Sequence, residues 1–267
     1  MNTISAKIKS VAVLTAVLAT FSGAFAAGDE SKGPDWSKYK WAVIGDSLSD
    51  PKLVPVGAKY YDLIAAETGI KLYVNAVGGT GYWREHEKGK AFYQRLKDLP
   101  SDVDVVTVLG SVNDWKYYQN RKLNLQIGTP SDKLLETNTV SAYMNEALDV
   151  IAARAPKAKV VLITGLYYYG VGSKYHSNVN KALIAVAKAR GIVCHDWLNG
   201  QNDPKYDFHQ INRDTGSVEF AKKYTRDYNE KRGYGHPSAA YNAEWMAPKV
   251  KQILSETLPD KEKCWIR

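Results

Sequence analysis

Short runs of apolar, β-branched residues recur five times along the chain, at residues 40–45, 71–77, 103–110, 158–166 and 192–198. Between them lie stretches whose apolar residues return at every third or fourth position: 58–68, 87–99, 131–155, 176–190 and 238–256. The first spacing is that of strands and the second that of helices with one buried face. Pro156 stops the third helical stretch and Gly191 closes the fourth, as a helix breaker and a left-handed cap do. Strands that are apolar throughout are covered on both faces. The alternation therefore predicts an α/β domain built on an open, doubly wound sheet of five parallel strands. Such sheets bind ligands outside the carboxyl ends of their strands. Two longer irregular stretches, about 115–131 and 199–235, fall at that edge and are candidate substrate-binding insertions.

The N-terminus lies outside this pattern. Lys7 and Lys9 precede an almost unbroken run of apolar or small residues over 11–21, and Ala24-Phe25-Ala26 follows. This is the layout of a signal peptide with its small-x-small cleavage site. Residues 1–26 are thus expected to be removed and the protein exported to the medium, the cell surface or the periplasm. The apolar run is shorter than a bilayer requires, no later segment reaches that length, and no transmembrane segment is expected. Residues 27–39 read as a polar leader, 40–258 as one domain and 259–267 as a C-terminal tail. About 240 residues then remain, enough for a substantial core.

Charge changes the picture little. The formal net charge is +8, and loss of Lys7 and Lys9 lowers it by two. Basic residues interleave with acids, as in Asp260-Lys261-Glu262-Lys263, which reads as a solvated surface. Nucleic-acid binding would need a basic stripe or a reader motif, and neither is present. Cys194 and Cys264 remain after export and could pair outside the cytoplasm. The bridge would close a loop of about 70 residues, worth roughly 4 kcal/mol in the chain-entropy model. The alternative is one thiol in a buried strand and one in a tail. Neither cysteine has metal-ligand spacing.

Chemistry gathers at three strand ends. The first run ends in Gly45-Asp46-Ser47-Leu48-Ser49, where a turn can present the Ser47 hydroxyl and its own N–H at the ligand edge. The second ends in Val77-Gly78-Gly79-Thr80-Gly81, where glycine lets a backbone N–H approach a substrate oxygen closely. The third ends in Gly110-Ser111-Val112-Asn113-Asp114, where the Asn113 amide can add a donor. Preorganised donors at a developing oxyanion are worth roughly 3 kcal/mol each. Each fragment alone is ordinary turn chemistry; the three in succession point to acyl transfer. Among the histidines, His86 and His209 sit in charged surroundings, His176 in a helix and His195 in a strand. His236 stands at a loop-to-helix junction held by Pro237 and is the candidate base.

These blocks resemble the SGNH (GDSL) hydrolase family, over almost the whole chain past residue 26. The resemblance implies a single three-layer α/β/α domain, flavodoxin-like in strand order. It implies Ser47 as nucleophile, His236 as general base, and an oxyanion hole formed by Ser47, Gly79 and Asn113, with Gly78 as the register alternative for Gly79. No metal or organic cofactor is implied. The family usually carries Asp three residues before the catalytic His, whereas this chain has Gly233. An orienting carboxylate holds the imidazole tautomer. Here a backbone carbonyl near Arg232 or Gly233, or an acid such as Asp227, could serve instead. The α/β-hydrolase elbow Gly-x-Ser-x-Gly does not fit, because Ser49 occupies its second glycine position.

Export and the resemblance favour a carbohydrate O-acyl esterase that removes acetyl groups and acts as a monomer on a small-molecule or polysaccharide ester. Aromatic residues at Tyr82, Trp83, Trp115, Tyr117, Tyr118 and Tyr167–Tyr169 could stack on sugar rings or pack the site walls. A lipase or lysophospholipase-type acylhydrolase is the alternative, against which stand the polar site loops and the lack of a long apolar lid. A non-catalytic binding protein on the same fold is a third reading, supported only by Gly233.

Overall fold

A computed structural model describes residues 34–53, 57–85, 87, 89–110, 113–114, 126–165, 173–197, 222–224, 226 and 236–258, with the side chains of 173–177 excepted. Five parallel strands form one sheet in the order β2-β1-β3-β4-β5. They are β1 (Lys40–Gly45), β2 (Lys71–Ala76), β3 (Val105–Leu109), β4 (Lys159–Ile163) and β5 (Val193–His195). Helices among the described residues include α1 (Tyr60–Thr68), α2 (Phe92–Arg95), α3 (Val140–Arg154), α4 (Ser173–Ala189), α5 (Ala239–Tyr241) and α6 (Ala247–Thr257). The doubly wound α/β architecture expected from the strand and helix pattern is the one observed.

Alternation along the strands divides the core in two. Trp41 and Val43 of β1, Val105 and Leu109 of β3, and Val161 and Ile163 of β4 pack with Tyr60, Ile64, Val250, Ile253 and Leu254 of α1 and α6. The intervening Ala42, Ile44, Val106, Val108 and Leu162 pack on the opposite face with Phe92, Met144, Leu148, Ile151, Leu183 and Val186 of α2, α3 and α4. Each fully buried aliphatic side chain contributes about 1.5–3 kcal/mol, so both faces are anchored. Thr107 falls on the first face among apolar neighbours, and the Trp41 indole N–H donates to its hydroxyl at 2.8 Å.

Element ends differ from the pattern where side chains act on the backbone. The stretch 131–155 becomes helical only from Val140, because Thr139 caps α3 by accepting from Ala142 N at 3.1 Å. Such a cap is worth about 1 kcal/mol. Before it, Asp132 gathers Thr129 N (3.1 Å) and the Thr139 hydroxyl (2.7 Å) into a turn. The stretch 87–99 shortens to α2 and a 3₁₀ turn, Leu96–Asp98, with Gln94 reaching back to accept from Ala91 N at 3.1 Å. The last helix is interrupted by a π segment, Asn242–Met246, between α5 and α6. Ala247 N donates five residues back to Asn242 O. Pro248 lacks the N–H that an unbroken α-helix would use there.

Register sets the three site-bearing strand ends level. Gly45 lies opposite Ala76 on one side and Leu109 on the other. A Cβ at Gly45 would lie 2.7 Å from Ser49 Oγ, so only glycine lets the following turn fold back this closely.

Candidate active site

The turn after β1 presents Ser47 with 8% of its surface exposed. Asp46, fully buried, shapes the turn by accepting from Leu48 N through Oδ1 at 2.9 Å. Ser49 N closes it on Asp46 O at 3.1 Å. The turn after β2 comes up beside it: a Cβ at Gly78 would meet Ser47 Cβ at 3.5 Å. Gly78 N donates to Asp50 Oδ2 at 2.7 Å. Gly79 has φ +83°, a conformation that glycine adopts without strain. Among the described residues, the N–H groups of Ser47 and Gly79 and the Ser47 hydroxyl have no hydrogen-bond partner.

Just past β3, Asn113 is 6% exposed and reaches across to both other turns. Its Nδ2 donates to Thr80 O at 2.9 Å and to Asp46 Oδ2 at 3.2 Å, and its Oδ1 accepts from Arg84 Nη1 at 3.4 Å. Ser47, Gly79 and Asn113 are thereby brought to one place on the sheet edge.

His236 is half-buried and arrives from the other end of the chain. Its carbonyl accepts from Arg226 N at 2.7 Å, and Ser238 N donates to Tyr224 O at 2.9 Å, so the segment around Pro237 is clasped on both sides. Two connections carry it to the serine turn. Arg226 Nη1 donates to Leu53 O at 3.0 Å. In the second connection, Asn242 donates from Nδ2 to Ser238 O (2.9 Å) and accepts from Tyr60 N at Oδ1 (3.1 Å); the Tyr60 hydroxyl meets Ser49 Oγ at 2.8 Å. No hydrogen bond joins Ser47 to His236 among the described residues; catalytic contacts of this kind often tighten only with substrate present. Asp227, Arg232 and Gly233, the sites of the histidine-orienting alternatives, lie outside the described residues.

The family model for GDSL-like lipase/acylhydrolase matches residues 43–243, a span that takes in all of these groups. The chain belongs to the GDSL-like lipase/acylhydrolase family. It is thus a hydrolase of the SGNH type, from a family that acts on esters. Curated proteins offer no sequence match. Among solved structures, this GDSL-family chain is similar to a Lactobacillus plantarum protein at TM-score 0.58 and 19% identity, covering 82% of this chain and 97% of that one. A Bacteroides ovatus protein described as a GDSL-like lipase aligns at TM-score 0.53 and 15% identity, over 82% and 99%. A phospholipase A1 from Streptomyces albidoflavus aligns at TM-score 0.51 and 15% identity, over 80% and 98%. At these identities the likeness is one of fold.

Around the GDSL turn lies a set of buried charges that the sequence pattern did not single out. Lys59, 1% exposed, donates Nζ to Leu48 O at 2.8 Å. Arg95 donates Nη2 to Gly45 O (3.0 Å) and Thr80 Oγ1 (3.2 Å), and Nη1 to Asn75 O (2.6 Å). Asp114 accepts from Tyr82, Trp83 and Arg84 N at 2.9, 3.2 and 3.2 Å. Burial raises the Asp46 carboxyl to about 7, opposed by the Leu48 N–H and reinforced by the charge of Asp114. Burial likewise raises Asp114 to about 6 against its three backbone donors. It lowers Lys59 to about 8, against the attraction of Asp50 and then Asp46, and Arg95 to about 10. Lys59 stands at the N-cap of α1, directly before the buried Tyr60 and Tyr61, a place where a lysine ordinarily reads as solvated.

Tyr82 is fully buried against Phe92, ring centroids 5.1 Å apart, and so packs a wall rather than facing a sugar. Trp83 is half-buried and stands 6.4 Å from the Tyr143 ring. Trp115, Tyr117, Tyr118 and Tyr167–Tyr169 lie outside the described residues, as do His86 and His209. His195 is buried at the end of β5 and His176 falls within α4. Cys194 is buried in β5, where burial pushes its thiol up. Its proposed partner Cys264 lies outside the described residues. Among the described residues no helix is long and apolar enough to cross a membrane, and no group of His, Cys, Asp or Glu could hold a metal ion.

Proposed function

We propose that this GDSL-family protein is an exported serine esterase that hydrolyses short-chain carboxylic esters of polar alcohols, with carbohydrate O-acetyl groups as the substrate class. One observation carries the serine reading: the N–H groups of Ser47 and Gly79 lack acceptors beside the Asn113 amide, on strand ends set level by the sheet register. His236 takes the Ser47 proton as Oγ attacks the ester carbonyl carbon. The resulting oxyanion rests on Ser47 N–H, Gly79 N–H and the Asn113 amide. The imidazolium gives its proton to the leaving alcohol as the C–O bond breaks, leaving an acyl-serine. Water then loses a proton to His236 and attacks the acyl carbon; collapse releases the acid and returns the proton to Ser47 Oγ.

The short-chain, polar-substrate reading draws support from Lys52, Arg84 and Arg226, charged residues on the loops around Ser47, and from the signal-peptide layout of residues 1–26. The test is hydrolysis of p-nitrophenyl esters of increasing acyl length by the wild type and Ser47→Ala. Acetyl and butyryl esters should be cleaved fastest, and Ser47→Ala should lose at least about 10³-fold in kcat. Equal rates for both proteins would remove Ser47 from the reaction. A preference for acyl chains of about eight carbons or more would replace the substrate class with that of a lipase.

A further inference from the structure

The turn that carries Ser47 and the turn that carries Gly78 and Gly79 come from different strands, and Asp50 joins them. It is 8% exposed. Its Oδ1 accepts from Lys52 N at 2.9 Å within its own turn, and its Oδ2 accepts from Gly78 N at 2.7 Å in the other. Leu53 N adds a bond to its carbonyl at 3.2 Å, closing the 3₁₀ turn Pro51–Leu53. Beneath it, the buried ammonium of Lys59 holds Leu48 O at 2.8 Å. Two adjacent glycine N–H groups therefore differ in kind: that of Gly78 is engaged by a carboxylate, and that of Gly79 is open.

We propose that Asp50 is a positioning residue for ester hydrolysis, one that engages the Gly78 N–H and so orients the following peptide with the Gly79 N–H free to donate to the oxyanion. The inference rests on the serine-esterase reading above. Charge-assisted bonds to a carboxylate are short and directional, and a donor fixed before the reaction begins costs no reorganisation in the transition state. Without Asp50 the Val77–Gly78 peptide loses its anchor on the serine turn, and the Gly78–Gly79 peptide that follows it is free to turn its N–H away from an incoming oxygen. The loss would fall on the transition state more than on ester binding, and so on kcat more than KM.

The test compares steady-state hydrolysis of p-nitrophenyl acetate by the wild type, Asp50→Ala, Asp50→Asn and Ser47→Ala, with thermal melts of each. Asp50→Ala should lose about 30-fold in kcat with KM within about twofold, a loss on the scale of a weakened oxyanion donor. Asp50→Asn keeps an oxygen for the Gly78 N–H and should stay within about fivefold of wild type. A kcat for Asp50→Ala within twofold of wild type would overturn the proposal, as would equal losses in the Ala and Asn variants or a rise in KM matching the fall in kcat. If Asp50→Ala does not fold, Asp50→Glu replaces it. Its displaced carboxylate should cost about tenfold in kcat, and an unchanged kcat would overturn the proposal. An inactive Ser47→Ala beside a normal Asp50→Ala rejects this inference alone, whereas an active Ser47→Ala rejects the reading beneath it.

Discussion

Asn113 donates its side-chain amide to Asp46 across the ends of β3 and β1, Nδ2 to Oδ2 at 3.2 Å. The same nitrogen holds Thr80 O at the shorter distance of 2.9 Å. Both amide protons are thus engaged in the substrate-free protein, and an oxyanion would have to draw one of them from Asp46, the longer bond. Asn113→Ala should therefore act on rate and on stability together. The expected fall in kcat is about 10²-fold with KM little changed. Unfolding in urea should show a loss of about 1–3 kcal/mol, because Asp46 and Thr80 O lose a buried donor. A variant with wild-type kcat would take Asn113 out of the oxyanion hole.

The buried Asp46 carboxyl sets a direction for pH dependence. Burial raises it to about 7 from an ordinary 3.8. Between those values the folded protein binds the Asp46 proton more tightly than the unfolded chain does. By linkage, this group's contribution is most favourable below the unfolded pKa and is lost as pH rises to the folded one. Asp46→Asn removes that titration. The stability of wild type relative to Asp46→Asn should fall as pH rises from about 4 to about 7, then level off. Urea midpoints at closely spaced pH values read the difference directly, and a flat difference would contradict the assignment.

Gly81 faces the Asp114 carboxylate so closely that a Cβ would lie 2.2 Å from Oδ1. Asp114 cannot retreat without releasing the N–H groups of Tyr82, Trp83 and Arg84. Gly81→Ala should destabilise by about 1–3 kcal/mol or more, the cost of overpacking a site that cannot give. Denaturant unfolding measures it; a shift of under about 0.5 kcal/mol, typical of a surface change, would mean the turn relaxes freely.

Where local pattern alone decides structure, the sequence was legible. The run 40–45 is β1 to the residue, and Gly45-Asp46-Ser47 falls at its carboxyl end. The α4 helix ends at Ala189, and Gly191, the glycine that closes this stretch in the sequence, has the left-handed φ of +64°. The start of α3 was less legible, because the Lys-Leu-Leu-Glu run at 133–136 reads as helical while the Thr139 cap and the Asp132 turn start the helix later. Least legible were Asp50, Lys59, Arg95 and Asp114. Their partners lie on other strands or turns, and a charged residue reads as solvated until the fold supplies carbonyls and N–H groups around it.

The π segment Asn242–Met246 adds one residue to the turn of the helix that links His236 to the core. One extra residue advances the helical phase by about 100°. Before the segment Ser238 caps Tyr241, and at its first residue Asn242 meets Tyr60 N; after it, Val250, Ile253 and Leu254 face the sheet. Both faces are satisfied at once only with the extra residue in place. Chain length across this segment is therefore a coordinate of the active site, and a deletion there would rotate the histidine end away from the serine while leaving every candidate catalytic residue in the sequence.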